Sequence, residues 1–564
     1  MNESVNTRKT APGAFLARTG RWIKRIRAEW LLCAALLALT LYVVLYYITG
    51  PSLNFLHSDS TDSLLWAWAT VDSGQILAED FHYAALLPFG APLWMVPILS
   101  IWGYTVTAQT VSMAVFAVLF VFSAFSLFQG MKWSPALSAV GAFCMSLLLS
   151  GSAKLREILW EHTIYYSLSI LFVMLLLNLC LRLLPCLEAW TRGESDRRNT
   201  AKLVTFGVLL LLLSAGCATD GFQVLAVSVV PVFGALAAYT LLEDAPLLSR
   251  RGMCRYITGG LMLFGTAAGM LILRVITQNG QIRAGYGTAY SVWSDPTEWG
   301  DNAGLLVFQM LSLFGVDPAA RDPLFTLESV GVLLKIVCVG CLLLCPLVLL
   351  FRYRRIRYSA TKLILWTHLA VSAVVLLGFV CGSLSTANWR LTPMLGSAVL
   401  ATLALLRELF SAGRVEKRLG AALCGLLVAV SLLNTYTICQ MPRTLGQERD
   451  HRVIAQTLAE KGYDYGYATF WNAQITTLLS DEQVTVLPVK TESNAVVIYP
   501  YQVRDSWFQS REGKDCFLLL TEGEYELLRY TPYWTALLEQ RTLVEQWSYN
   551  GYHVAVFDGD VLIE

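Results

Sequence analysis

Gly50-Pro51-Ser52-Leu53-Asn54-Phe55-Leu56-His57-Ser58-Asp59-Ser60-Thr61-Asp62 is the stretch on which the fold turns. It sits directly behind an apolar run at about 30–48, where Gly50-Pro51 ends the helix, and ahead of roughly ten further runs of similar length. A carboxylate pair held at the mouth of so many apolar segments points to chemistry at a membrane surface.

The composition agrees. Of 564 residues, 55% are apolar and only 15% charged, and the mean hydropathy is +0.53, too apolar for a soluble globular protein. The formal charge of +1 says little about partners. Apolar runs fall at about 30–48, 104–128, 135–150, 164–184, 203–218, 222–242, 256–276, 328–350, 363–381, 391–406 and 420–438, each about long enough to cross a hydrocarbon layer roughly 30 Å thick as a helix. The reading is a polytopic α-helical membrane protein with about eleven transmembrane helices. The first run is span-length and shows no small-residue cleavage site, so it is not read as a cleaved signal peptide.

Lysine and arginine orient the chain, because short cytoplasmic loops retain them and translocated loops are depleted of them. One set of alternate connections carries 25: seven from Arg8 to Arg27, then Lys132, five from Arg182 to Lys202, three in Arg250–Arg255, five in Arg352–Lys362 and four in Arg407–Arg418. The other set holds only Lys154, Arg156, Arg283, Arg321 and Arg390. The N-terminus is therefore expected inside the cell membrane and the C-terminus outside. The domains follow: a cytoplasmic basic N-terminus 1–29, a transmembrane domain 30–440 with extracytoplasmic loops 50–103 and 277–327, and an extracytoplasmic soluble domain 441–564. That tail alternates strand-like runs (Val484–Val489, Ala495–Tyr499, Cys516–Leu520, His553–Phe557) with helical ones and reads as a small α/β cap.

Common motifs are missing. No Walker loop, GxGxxG after a strand, or HExxH occurs, and no internal repeat supports a duplicated transporter. The Cys338-Val339-Gly340-Cys341 pair falls inside the eighth run and reads as packing. Leu86–Gly103 is apolar but broken by Pro88, Pro92 and Pro97, so it reads as a bent or re-entrant piece.

The first loop is the most informative. Asp59 and Asp62 precede Leu64-Leu65-Trp66-Ala67-Trp68-Ala69, whose Trp pair suits a helix lying at headgroup level. The plain alternative is that Asp59 is the N-cap of that helix and Asp62 part of a capping box. The loop also holds Asp72, Glu79, Asp80, His57 and His82 but no Lys or Arg. An unpaired acidic cluster needs a metal, a substrate cation or a proton-abstracting role to offset its repulsion.

With this layout over about residues 20–440, the chain resembles the GT-C superfamily of integral-membrane glycosyltransferases. The resemblance implies a donor sugar linked to a polyprenyl phosphate and a catalytic carboxylate in the first outer loop, where Asp59 and Asp62 stand. Their spacing departs from the adjacent Asp-Glu of the mannosyltransferases, which leaves the choice of base between them open. The resemblance also implies that a second acidic motif, in the loop Lys154-Leu155-Arg156-Glu157-Ile158-Leu159-Trp160-Glu161-His162, helps bind a divalent metal (Mg or Mn) or the acceptor, with Glu161 and His162 as ligands. The plain alternative is a solvated helical turn, with Glu157 and Glu161 on one face. Asn388-Trp389-Arg390-Leu391-Thr392-Pro393 resembles the late Arg-x-x-Pro segment of bacterial relatives. Arg390 would fork onto the donor phosphate, or simply snorkel to the interface.

Lys154 and Arg156 are further substrate-binding candidates, as are two cations inside apolar runs, Arg274 and Lys335, because an ionisable residue at that depth is costly. Lys335 is the better of these two, since Arg274 can snorkel. Asp220 in Cys217-Ala218-Thr219-Asp220-Gly221 reads as a turn residue. The expected activity is transfer of a sugar from a polyprenyl-phosphate donor to the hydroxyl of a glycan, lipid or protein acceptor at the outer face, with no nucleic-acid partner. A polysaccharide polymerase or flippase, or a membrane scaffold or sensor using its tail, are the rival classes. For topology, a periplasmic-type reporter fused after Glu564 should be active and a cytoplasmic-type reporter silent; the reverse pattern would overturn the orientation.

Overall fold

In the computed structural model of the chain, residues 12–90, 92–243, 249–278, 292–317, 325–383, 386–444, 446–492, 495–511 and 513–562 are described. Arg8, Lys9, Arg283 and Arg321 of the basic count, with much of loop 277–327, lie outside the described residues. Among the described residues, ten helices are long and apolar enough to cross a membrane, and a bent pair brings the number to eleven. The protein is a multi-pass membrane protein, with helices where the apolar runs predict them. Helix α1 (Pro12–Ile48) ends at Gly50-Pro51, and the proline-broken stretch forms only a short helix, Pro92–Trp102.

The bent pair, Pro135–Leu148 and Ala153–Glu161, turns through 115°. A bend at membrane depth frees carbonyls that lipid cannot satisfy, and here side chains satisfy them. Asn434 Nδ2 donates to the Leu147 carbonyl at 2.8 Å, Arg156 Nη1 to Ser150 at 3.2 Å and Lys335 Nζ to Gly151 at 2.8 Å. Two expected substrate-binding cations, Lys335 and Arg156, are thus engaged in holding the bend. Residues Glu157–Glu161 form a π-helical turn, in which Glu157 meets Lys154 and His57 while Glu161 is buried against Tyr47.

Helix α2 (Ser58–Ser73) corrects one expectation. Neither aspartate caps it: His57 is the N-cap residue, its N–H donating to Ser60 Oγ at 3.3 Å, and Asp59 stands in the first turn. Its Trp pair faces protein: Trp66 is buried, and Trp68 stacks on Tyr104 at 4.9 Å and meets Trp507 at 4.4 Å. Left-handed Gly74 (φ +69°) ends the helix, a backbone state open to glycine at little cost.

What covers α2 is the tail. Its six strands, β1 (Tyr465–Thr469), β2 (Thr485–Glu492), β3 (Ala495–Ile498), β4 (Cys516–Thr521), β5 (Leu543–Tyr549) and β6 (Tyr552–Phe557), form one sheet ordered β3-β2-β1-β4-β6-β5. The central trio β2-β1-β4 is parallel and the outer pairs antiparallel. Four strands match the expected runs; β1 and β5 are additions. Helix Phe470–Leu479 follows β1 and packs against both β2 and α2.

The tail and the first loop are joined at residues 502–507. Arg504 binds Asp72 at 2.5 Å and Asp80 at 2.8 Å, His82 Nε2 lies 2.7 Å from Asp505, and Trp507 Nε1 donates to Asp72 at 2.8 Å. The backbones pair too, with His82 donating to Val503 O, Gln502 to His82 O and Asp505 to Asp80 O. The loop's acids are therefore not unpaired, as expected from the loop alone: Arg504, more than 400 residues away, supplies the charge. Burial would raise the Asp80 carboxyl, but bonds from Arg504 and Ser506 outweigh it and hold it below the usual carboxylate range. Arg504→Ala should weaken this junction by about 1–2 kcal/mol, after allowance for solvent at Asp72, and speed amide exchange at residues 80–82 and 502–505. Unchanged exchange there would show that the backbone pairing alone holds the tail.

Candidate functional site

Between the bundle and the tail lies a cavity of about 1080 Å³. His57, Asp59 and Asp62 of the first loop line it, as do Lys154, Glu157 and His162 from beyond the bend, and Trp389, Arg390 and Pro393 from the late Arg-x-x-Pro segment. Its apolar side is built from span residues such as Phe222, Val227, Val374, Val375 and Phe379, and its far side from tail residues of β1, β2 and the segment after β3. Of the expected site residues, Asp59, Asp62, Lys154, Arg390 and His162 meet here. Arg156, Lys335, Arg274 and Glu161 do not line it. Arg274 is exposed on the flank of its helix, where its long stem needs no ligand.

The two aspartates share the cavity but not their surroundings. Asp59 is half-buried and accepts no hydrogen bond from the described residues. Burial raises its carboxyl above the usual range, His57 and Lys154 pull it down, and Glu157 pushes it up. Asp62 is 8% exposed and its Oδ1 has no hydrogen-bond partner. Burial and then the charge of Asp59 drive it well above the usual range, and the nearby Gln502 carboxamide offsets only part of this. Both carboxyls are thus raised, Asp62 further than Asp59 because it is the more deeply buried and faces the charge of its neighbour.

Around them runs a chain of charge. His57 Nε2 lies 3.4 Å from Glu157 Oε1, and Lys154 Nζ reaches the same carboxylate at 2.5 Å. Burial alone would lower the His57 imidazole; the hydrogen bond and charge of Glu157, with Asp59 beyond, raise it instead. Lys154 also sits 5.0 Å from the Trp389 ring, beside Arg390, whose Nε is buried without a partner.

Glu161, expected as a metal ligand with His162, is 2% exposed and bonds the Tyr47 hydroxyl at 2.5 Å. His162 turns into the cavity instead, both ring nitrogens without a hydrogen bond and Nε2 4.0 Å from Glu157. Glu157 already carries the Lys154 ammonium, and among the described residues no three His, Cys, Asp or Glu are grouped to hold a metal. This donor set does not fit a divalent cation, because Glu161 is spent on Tyr47 while His162 leaves the turn in an extended backbone and faces the cavity. Asp220 is a structural tether, accepting the N–H groups of Phe89 and Gly90 at 2.8 and 3.1 Å.

Several residues at the site carry no sequence signal. Gln502 is fully buried, accepts from Trp66 Nε1 at 2.6 Å and receives Gln474 on its carbonyl at 2.9 Å. It holds a left-handed backbone (φ +55°), worth about 1–3 kcal/mol of strain for a side chain of this kind. Lys490 and Trp471 enter the cavity from strands and helices of the tail, and β1, which delivers Trp471, has too short a run to be read alone.

No family model matches the sequence, and no curated protein matches it. Solved structures do match. ArnT from Cupriavidus metallidurans bound to undecaprenyl phosphate is 13% identical with a TM-score of 0.55, over 93% of this chain and 97% of that one. The same protein in the apo state is 14% identical with a TM-score of 0.53, over 96% and 98%. The Archaeoglobus fulgidus oligosaccharyltransferase AglB, in complex with an inhibitory peptide and a dolichol-phosphate, is 12% identical with a TM-score of 0.43, over 92% and 71%. The chain shares the fold of the ArnT structures. A 93% share takes in most of the tail, so the likeness extends beyond the region 20–440 that the sequence resemblance covers.

Asp62 also gives a testable pH dependence. A carboxyl raised on folding adds stability that is complete below its unfolded value and is lost as pH rises through the folded value. Asp62→Asn removes that loss, so the variant should gain in Tm relative to the parent as pH rises from about 4 to 8. A Tm difference that stays constant over this range would show that Asp62 titrates normally.

Proposed function

We propose that the protein is a membrane glycosyltransferase that moves a sugar from a polyprenyl-phosphate donor to an acceptor hydroxyl at the outer face of the membrane. The observation that carries this reading is one cavity with a half-buried carboxylate, Asp59, on one side, Arg390 with an unpartnered Nε and Lys154 paired with Glu157 on another, and an apolar wall of span residues beneath. The orientation follows the basic-residue bias, which sets this cavity and the tail outside; the division 1–29, 30–440 and 441–564 is part of the same proposal. The ArnT structure, sharing the fold, was obtained with undecaprenyl phosphate, a ligand of the kind this cavity suits.

The isoprenoid chain lies along Phe222, Val227, Val374 and Phe379, and the phosphate meets Arg390 and Lys154. Guanidinium and ammonium offset the charge that grows on the phosphate as it leaves. Asp59 accepts the proton from the acceptor hydroxyl while that oxygen bonds to the anomeric carbon and the bond to the phosphate oxygen breaks. Behind it, burial and the charge of Asp59 favour the protonated form of Asp62. His57 and Lys154 favour the ionised form of Asp59, against its burial and Glu157. No step passes through a metal.

Incubation of the purified protein with polyprenyl-phosphate sugars and acceptor should release polyprenyl phosphate; no release from any donor would overturn the proposal. Asp59→Asn should cut turnover by about 10²–10⁴-fold in folded protein. Arg390→Lys should weaken donor binding by about 1–3 kcal/mol by losing the fork. If transfer survives in both Asp59→Asn and Asp62→Asn, the first loop is not the catalytic element.

A further inference from the structure

The tail's contribution to the cavity is aromatic and solvent-facing. Trp471, the second residue of helix Phe470–Leu479, is 59% exposed although it lines the cavity. Its ring lies 6.3 Å from the His57 ring, two residues from Asp59, and 5.2 Å from Phe470. Tyr499 and Tyr501 continue the surface, stacked at 5.5 Å with a 26° tilt, and Tyr501 meets Phe470 edge-on at 5.0 Å. Lys490 Nζ lies over the Tyr499 ring, 4.7 Å from its centroid, so Trp471 and Tyr501 offer the open faces, and exposed Glu492 stands at the rim.

A large apolar ring exposed inside a cavity is a surface kept open for a ligand. The apolar span wall suits an isoprenoid chain and Arg390 with Lys154 suit a phosphate, so the donor's lipid and phosphate leave the tail side of the cavity for sugar. A ligand that rests on aromatic faces while meeting a carboxylate and an ammonium at the rim has apolar faces and polar edges at once. Sugar rings have this character: their C–H faces carry slight positive charge and lie on the negative face of an indole or phenol ring, and their hydroxyls donate to Glu492 and accept from Lys490. Trp471 turns toward His57 and into the cavity, which argues against an anchor in the surrounding lipid.

We propose that Trp471, Tyr499 and Tyr501 form a carbohydrate-binding wall, and that the acceptor presented to Asp59 is a glycan. This rests on the transferase reading for its role, but the binding itself is separable. The test uses the full chain in lipid nanodiscs with soluble hexasaccharides of glucose, mannose, galactose and N-acetylglucosamine, read by saturation-transfer NMR, with donor-lipid binding measured in parallel. At least one hexasaccharide should bind, with affinity reduced about 10-fold in Trp471→Ala and kept within about threefold in Trp471→Phe, while donor-lipid binding is unchanged. Binding by no hexasaccharide, or equal binding by Trp471→Ala, would overturn the proposal. So would a Trp471→Ala variant that loses only donor-lipid binding, which would place the ring against lipid. Failure to release polyprenyl phosphate would instead strike the transferase reading and leave the glycan wall to be judged on binding.

Discussion

Arg504 lies between Asp72 and Asp80, and Gln502, two residues earlier, lies between Trp66 and Asp62. The site depends on this short junction. It neutralises the acidic loop and, with the packing of helix Phe470–Leu479 on α2, holds the far wall of the cavity in place. The junction joins charge pairing at the solvent side to buried amide contacts at the inner side. Gln502 adopts a strained left-handed backbone there, a state that persists where surrounding contacts over-determine it.

A second constraint comes from below. The 115° bend brings Lys154, Glu157 and His162 to the cavity, and the carbonyls it frees need partners. Asn434, Arg156 and Lys335 cap those carbonyls, which explains the lysine and the arginine without assigning them chemistry. The bend and the junction together place Asp59 beside His57 and Lys154 and leave Asp62 buried with an unpartnered oxygen. On the proposed function, that contrast is what would give the site a direction for proton transfer.

Neighbouring elements, not helical spacing, divide the second acidic motif. Residues four apart on a helix share a face, so Glu157 and Glu161 look equivalent in sequence, but Glu157 joins His57 and Lys154 whereas Glu161 meets Tyr47. His162 leaves the π-helical turn in an extended backbone and faces the cavity, apart from Glu161.

Run length, proline placement and the basic-residue bias are properties of contiguous segments. The sequence by itself therefore determined the number and positions of the spans, the short broken helix after the first loop, four of the six tail strands, and the candidacy of Asp59, Asp62, Lys154, Arg390 and His162. Which candidates meet, and which are spent on structure, depended on contacts between segments up to about 400 residues apart that no periodicity encodes. Lys335 and Arg156 went to carbonyls freed by a bend, the loop acids went to Arg504, and Gln502, Lys490 and Trp471 became part of the site only because the sheet docks on α2. Tertiary structure decided these roles because an ion pair or a buried amide is specified by where two side chains meet, and the chain alone records only that each is present.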